Sequence, residues 1–104
     1  MTRIEVKAQL QNEVVTREHG AKLRELIEQR LGDPPVVLDF IGLQIASVSF
    51  FDEALGQLAL RHGKEKLFEC TVFENIDPFD LALVGDIVDA RSREADKRAK
   101  RRTA

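Results

Sequence analysis

The chain has no tryptophan and no tyrosine, and only one cysteine, Cys70, and three prolines in 104 residues. Six phenylalanines are its only large aromatics. A core must claim those first, which leaves no evident aromatic platform for stacking nucleic-acid bases. The lone cysteine excludes an internal disulfide and a cysteine-rich metal site, and agrees with a reducing compartment. No apolar run approaches the ~20 residues that a membrane span requires. The first residues, Met1-Thr2-Arg3-Ile4-Glu5-Val6, enter an alternating pattern without the apolar block of a secretory signal. The expectation is a cytoplasmic protein with no membrane partner. The chain is long enough for one domain with a real core and too short for two.

Charge is unevenly placed. Residues 91–104 hold seven Lys/Arg against Glu94 and Asp96, a local +5 in a chain of net charge −2, so the rest carries −7. The division expected is an acidic domain over residues 1–90 and a basic C-terminal helical tail over 91–104.

Hydrophobic periodicity organises the body. Ile4, Val6, Ala8 and Leu10 alternate with polar residues, which predicts a strand over 3–10. A polar turn at 11–13 precedes Val14-Val15 as a short returning strand. Thr16 then caps a helix over 17–31, with Leu23, Leu26, Ile27 and Leu31 as its apolar stripe and Gly32-Asp33-Pro34-Pro35 as its stop. Residues 36–40 form a strand apolar on both faces. A second helix carries Phe51, Ala54, Leu55 and Leu58 and ends at Gly63. Residues 66–73 read as another strand, with Phe68, Cys70 and Val72 on one face. Asp77-Pro78, an N-cap followed by proline at the first helical position, opens a last helix whose Phe79, Leu81, Leu83, Val84, Ile87 and Val88 cover a wide arc. Alternating strands and helices define an α/β fold: a small mixed or mostly parallel sheet under about three helices.

The residues that invite chemistry cluster around the second helix. Ser49 fits two roles: an N-cap, with Asp52 completing a variant capping box, or a phosphoacceptor where the helix dipole favours an anion. Ser47 is the alternative cap. Asp39, at a strand end, either holds the following loop or pairs with Arg17, whose place in the first turn of a helix calls for an anionic partner. Asp52 and Glu53 are adjacent on a helix, hence about 100° apart, and do not converge as an acid/base pair. His19 and His62 lack neighbours at metal-ligand spacing, and Cys70 reads as a small buried hydrophobe. No phosphate loop, metal motif or nucleophile elbow is present. The expectation is a non-enzymatic protein without a cofactor.

Thr16-Arg17, Val37-Leu38-Asp39-Phe40, Gly42-Leu43, Ile45-Ala46, Ser49-Phe50, Asp52-Glu53, Leu55 and Phe73-Glu74-Asn75 together resemble the STAS-like domains of unknown function found in prokaryotes. The likeness covers most of residues 4–91. Such domains look like relatives of the STAS fold of anti-sigma-factor antagonists and of the cytoplasmic part of sulfate transporters. The resemblance implies a STAS-like α/β sandwich and a regulatory module that binds a kinase-type ATPase or an anti-sigma factor. It places Ser49 on the serine that the partner kinase phosphorylates, with Arg17, Asp39, Gly42, Ser47, Phe50, Asp52 and Glu53 as partner-binding or structural residues. This chain has Ser47 and Phe50 where antagonists carry aspartate and glycine. The competing class is a nucleic-acid-associated, antitoxin-like regulator that uses Lys97, Arg98, Lys100, Arg101 and Arg102 of the tail.

Overall fold

The computed structural model describes residues 1–10 and 15–103, with side chains through Arg101. Among the described residues three short strands, β1 (Thr2–Glu5), β2 (Val36–Asp39) and β3 (Thr71–Glu74), pair in that order and are all parallel. The register sets Ile4 beside Leu38 and Leu38 beside Phe73. Among the described residues six helical segments surround them: α1 (Val6–Leu10), α2 (Arg17–Arg30), α3 (Val48–Phe51), α4 (Gln57–His62), α5 (Lys64–Cys70) and α6 (Pro78–Thr103). A π-helical segment, Asp52–Gly56, joins α3 to α4 without a break.

One face of the sheet carries the core. Ile4, Val36 and Leu38 bury against Leu23 and Ile27 of α2, Phe50 and Phe51 of α3, Leu55, Leu58, and Val84 and Val88 of α6. The other face presents Arg3, Glu5, Val37, Asp39, Val72 and Glu74, since side chains alternate along a strand. Val37 is buried there without belonging to the core cluster, whereas Val72 is exposed. A strand apolar on both faces thus sits under helices on one side and under a polar network on the other.

Two expected strands are partly helical. Beyond Glu5 the chain turns into α1, because Val6 and Leu10 lie four apart on one helical face; both are buried, while Lys7, Ala8 and Gln9 between them are exposed. The run 66–73 is helical as far as Cys70. Lys64, Glu65, Lys66 and Leu67 favour a helix, Leu67 faces the core, and only Thr71–Glu74 extends as strand. Phe68, Cys70 and Val72 therefore share no strand face. The turn and short strand expected over 11–15 fall on residues of which 11–14 lie outside the described ones. The helix predicted over 17–31 is α2, capped by Thr16 as expected: its side chain accepts from the His19 amide.

The region after residue 90 is helix. α6 runs unbroken to Thr103, and Arg91, the first basic residue of that region, turns back to the body. Ala95, Arg98 and Ala99 line a shallow groove of about 180 Å³ with Leu60 of α4. Phe79 and Leu81, expected among the buried arc of this helix, are exposed; Val84 and Val88 are the residues that reach the core.

What fixes α6 at its start is Asp80. It is almost fully buried, and its two carboxylate oxygens accept from the backbone amides of Ile45 (2.7 Å) and Ala46 (2.8 Å). Removing that carboxylate leaves two amides without their acceptor, one of them at a buried residue. Asp80→Ala is expected to lower unfolding stability by ~3 kcal/mol in urea titrations. A loss within the range of ordinary surface substitutions would contradict the role assigned to this residue.

Candidate functional site

The loop from Phe40 to Ser47 leaves the central strand at its C-terminal end and delivers the chain to α3. Asp39 starts it. Its Oδ1 accepts from the Ile41 amide (3.0 Å) and from Asn75 Nδ2 (3.0 Å), and its Oδ2 receives Arg3 (2.8 Å). Those donors, Asn75 first, then the amide and Arg3, hold the Asp39 carboxyl below its ordinary range. Of the two roles open to Asp39, the loop-holding one is realised; its cationic partner is Arg3 rather than Arg17. Arg3 also reaches Glu74 (2.7 Å), so one guanidinium spans all three strands on the polar face of the sheet.

Gly42 follows in a tight turn closed by the Leu43 amide on the Phe40 carbonyl (3.0 Å). Its φ of +74° is a conformation that side chains resist. Ala46 adopts φ +49°, which costs a residue with a Cβ roughly 1 kcal/mol. Asp80 holds both its amide and that of Ile45, which is how the loop keeps this conformation.

Ser47 caps α3: its Oγ accepts from the Phe50 amide (3.2 Å). Ser49 is therefore not the cap and Asp52 completes no capping box, because the helix begins two residues earlier than that reading requires. Ser49 is half-buried in the first turn, and its Oγ lies 3.4 Å from that of Ser47. Phe50 is fully buried and stacks edge-on against Phe51. The approach of α2 to this turn depends on Gly20, where an added Cβ would stand 2.5 Å from the Phe50 carbonyl oxygen.

Asp52 and Glu53 diverge as their helical spacing requires. Glu53 faces α2 and receives Arg17 (2.7 Å) and Arg24 (2.9 Å). Asp52 faces α6 and receives Arg91 through two nitrogens, each at 2.7 Å. Arg91 lowers the Asp52 carboxyl, and Arg17 with Arg24 lowers that of Glu53. Arg17 thus has the anionic partner its position called for. The two acids act as a bracket, pinning the segment between α2 and α6. Among the described residues no group of three His, Cys, Asp or Glu could hold a metal ion.

Sequence reasoning missed Asp80, Arg3 and Arg91. Asp80 lies in the first turn of a helix, where an acidic residue is ordinary, and only the fold reveals that it caps a different segment. Lys97, Arg98, Lys100 and Arg101 lie on the last turns of α6; Arg98 pairs with Glu94 (2.8 Å), and the side chain of Arg102 lies outside the described residues.

A small parallel sheet, helices on its core face, and a clamped loop at the C-terminal end of the central strand define a mixed α/β domain of STAS-like architecture. The chain belongs to the family described as STAS-like domain of unknown function (DUF4325), whose model matches residues 19–80, from the first turn of α2 to Asp80 itself. Comparison with curated proteins and with solved structures returned no match. No helix among the described residues is long and apolar enough to cross a membrane.

The lowered carboxyls of Asp39, Asp52 and Glu53 fix the sign of the pH response. Folding holds them ionised, so their stabilisation is complete above the ordinary unfolded values near pH 4 and is lost as pH falls through the lower folded values. Urea titrations repeated from neutral to acid pH should show stability falling below about pH 4. Asp52→Asn should be less stable at neutral pH and lose less on acidification; a variant with an undiminished acid loss would contradict this assignment.

Proposed function

We propose that this domain is a non-enzymatic cytoplasmic regulatory module that docks a protein partner, of the kinase-type ATPase or anti-sigma-factor kind, on the surface formed by the 40–47 loop, the first turn of α3 and the start of α6. The observation that carries the reading is a group of exposed apolar side chains: Ile41 at 61%, Val48 at 58%, Phe79 at 61% and Leu81 at 47%. Ile41 lies on the loop and Phe79 and Leu81 on the start of α6, the two segments that Asp80 ties together, and Val48 opens the helix that follows the loop. Exposed apolar residues on segments held in place are what a partner surface needs, because little ordering entropy is lost on binding.

Phosphorylation of Ser49 is the switch in its sharpest form. A phosphate there adds about −2 charge within one turn of Asp52 and Glu53. Arg17, whose side chain is 61% exposed, would then have two anions to choose between, and the edge of the docking surface would change sign. The resemblance to antagonists supports this reading, while the buried Phe50 beside the acceptor leaves the loop face, rather than the core side, for a kinase to approach.

A second reading rests on the helical course of the basic region. Arg93, Lys97 and Arg101 follow one another at intervals of four, so α6 carries them as a stripe suited to a polyanion.

One experiment separates the two. The intact protein and four variants, Ser49→Ala, Ser49→Asp, Phe79→Glu and Lys97→Gln with Arg101→Gln, are used as bait in a lysate of the source cells, with and without nuclease. The docking reading predicts an ATPase-type partner that survives nuclease, is retained by Ser49→Ala, and binds about tenfold or more weakly to Ser49→Asp and Phe79→Glu. Equal capture by all variants would overturn it. Recovery abolished by nuclease and by the tail substitutions would assign the function to the basic stripe.

A further inference from the structure

α6 turns one face to the body: Val84 and Val88 are buried in the core, and Arg91 lies on Asp52. At about 100° per residue, Ala82, Asp86, Ala90, Arg93 and Lys97 fall within an arc of about 80° on the opposite side of the helix. All five are exposed. Asp86, Arg93 and Lys97 hold no ion pair among the described residues; Arg93 lies only in the field of Asp89, which is itself paired with Lys64 at 2.6 Å. The outer face of α6 thus reads, in order, small, negative, small, positive, positive, and its charges are unused within the chain.

We propose that this face packs antiparallel on the same face of a second copy of the chain, with the two-fold axis at Ala90. At about 1.5 Å rise per residue, Asp86 lies about 6 Å before Ala90 and Arg93 about 4.5 Å after it, so in an antiparallel pair each Asp86 comes level with the second copy's Arg93 to within about 1.5 Å. Lys97 comes level with the second copy's Ala82 by the same arithmetic, where its stem has no side chain to displace. Two Asp86 to Arg93 pairs then flank a contact of two alanines, which lets the helices approach closely. The other closed arrangement, with the helices parallel, sets Asp86 on Asp86, Arg93 on Arg93 and Lys97 on Lys97. Charge order therefore selects the antiparallel pair, and the bodies of the two copies, held on the far side of each helix, stay clear of one another. The contact is centred about three turns beyond Phe79, and the charges that make it lie outside the docking surface proposed above, so either reading can fail without the other.

Because Arg93 and Lys97 also belong to the stripe suited to a polyanion, the chain is freed of nucleic acid before the test, which is sedimentation velocity at concentrations up to about 1 mM. The expected result is a reversible dimer. Asp86→Lys and Arg93→Glu each set like charges against one another at both pairs, and each should raise the dissociation constant about tenfold or more. Mixed in equal amounts, the two variants regain opposite charges at both pairs, and the mixture should dimerise about as well as the unaltered chain. A defect of folding in either variant produces no such rescue. A monomer at every concentration, a dimer that both variants leave unchanged, or variants that stay monomeric when mixed would overturn the proposal. If either variant fails to fold, Ala90→Cys in a chain carrying Cys70→Ala decides: a cysteine on the two-fold axis faces its own copy, so mild oxidation should link two chains, and chains that remain unlinked refute the pairing.

Discussion

The buried carboxylate of Asp80 is the interaction on which the arrangement of this domain depends. α6 and the loop before α3 are far apart in sequence, and neither has a ladder of backbone bonds to the other. Two charge-assisted hydrogen bonds from one side chain supply the connection. They hold Ala46 in a left-handed conformation and bring the start of α6, with its exposed Phe79 and Leu81, against the loop that precedes α3. The surface assigned to a partner is in this sense built by a residue that faces away from it.

Around that point the domain is held by arginines, each joining elements that the chain keeps apart. Arg3 ties β1 to β2 and β3, Arg17 and Arg24 tie α2 to the π-helical segment, and Arg91 ties α6 to the same segment. Exposed pairs of this kind contribute little singly. The Asp52–Arg91 pair is different, being bidentate and partly shielded, and it belongs to a region of α6 whose composition alone suggests a solvated tail. The acidic body and the basic end of the chain are therefore joined at their border.

Much of this was legible in the residues. Val36–Asp39 as a central strand, Thr16 as a cap, Gly63 as a stop and Asp77-Pro78 as a helix start all follow from local chemistry, and local chemistry governs them in the structure. The two misread strands have one cause: in a segment of five to seven residues, apolar positions spaced by two also fall at spacings of four, and burial decides between strand and helix. The choice between Ser47 and Ser49 as cap was closed to the sequence, since both precede the same apolar stripe. Asp80 and Arg91 were illegible for a different reason. Their partners lie 34 to 39 positions away, and no local pattern encodes a pairing at that distance.

Amide hydrogen exchange at Ile45 and Ala46 tests the central claim most directly, because it reads the clamped loop at the two groups Asp80 holds. The account predicts that both exchange slowly, at rates approaching those of Leu38 and Val84 in the core, and that Asp80→Asn accelerates them selectively. Exchange at the rate of an unstructured loop, with the core still protected, would mean that the loop is not preformed, and the docking surface built on it would fall with it.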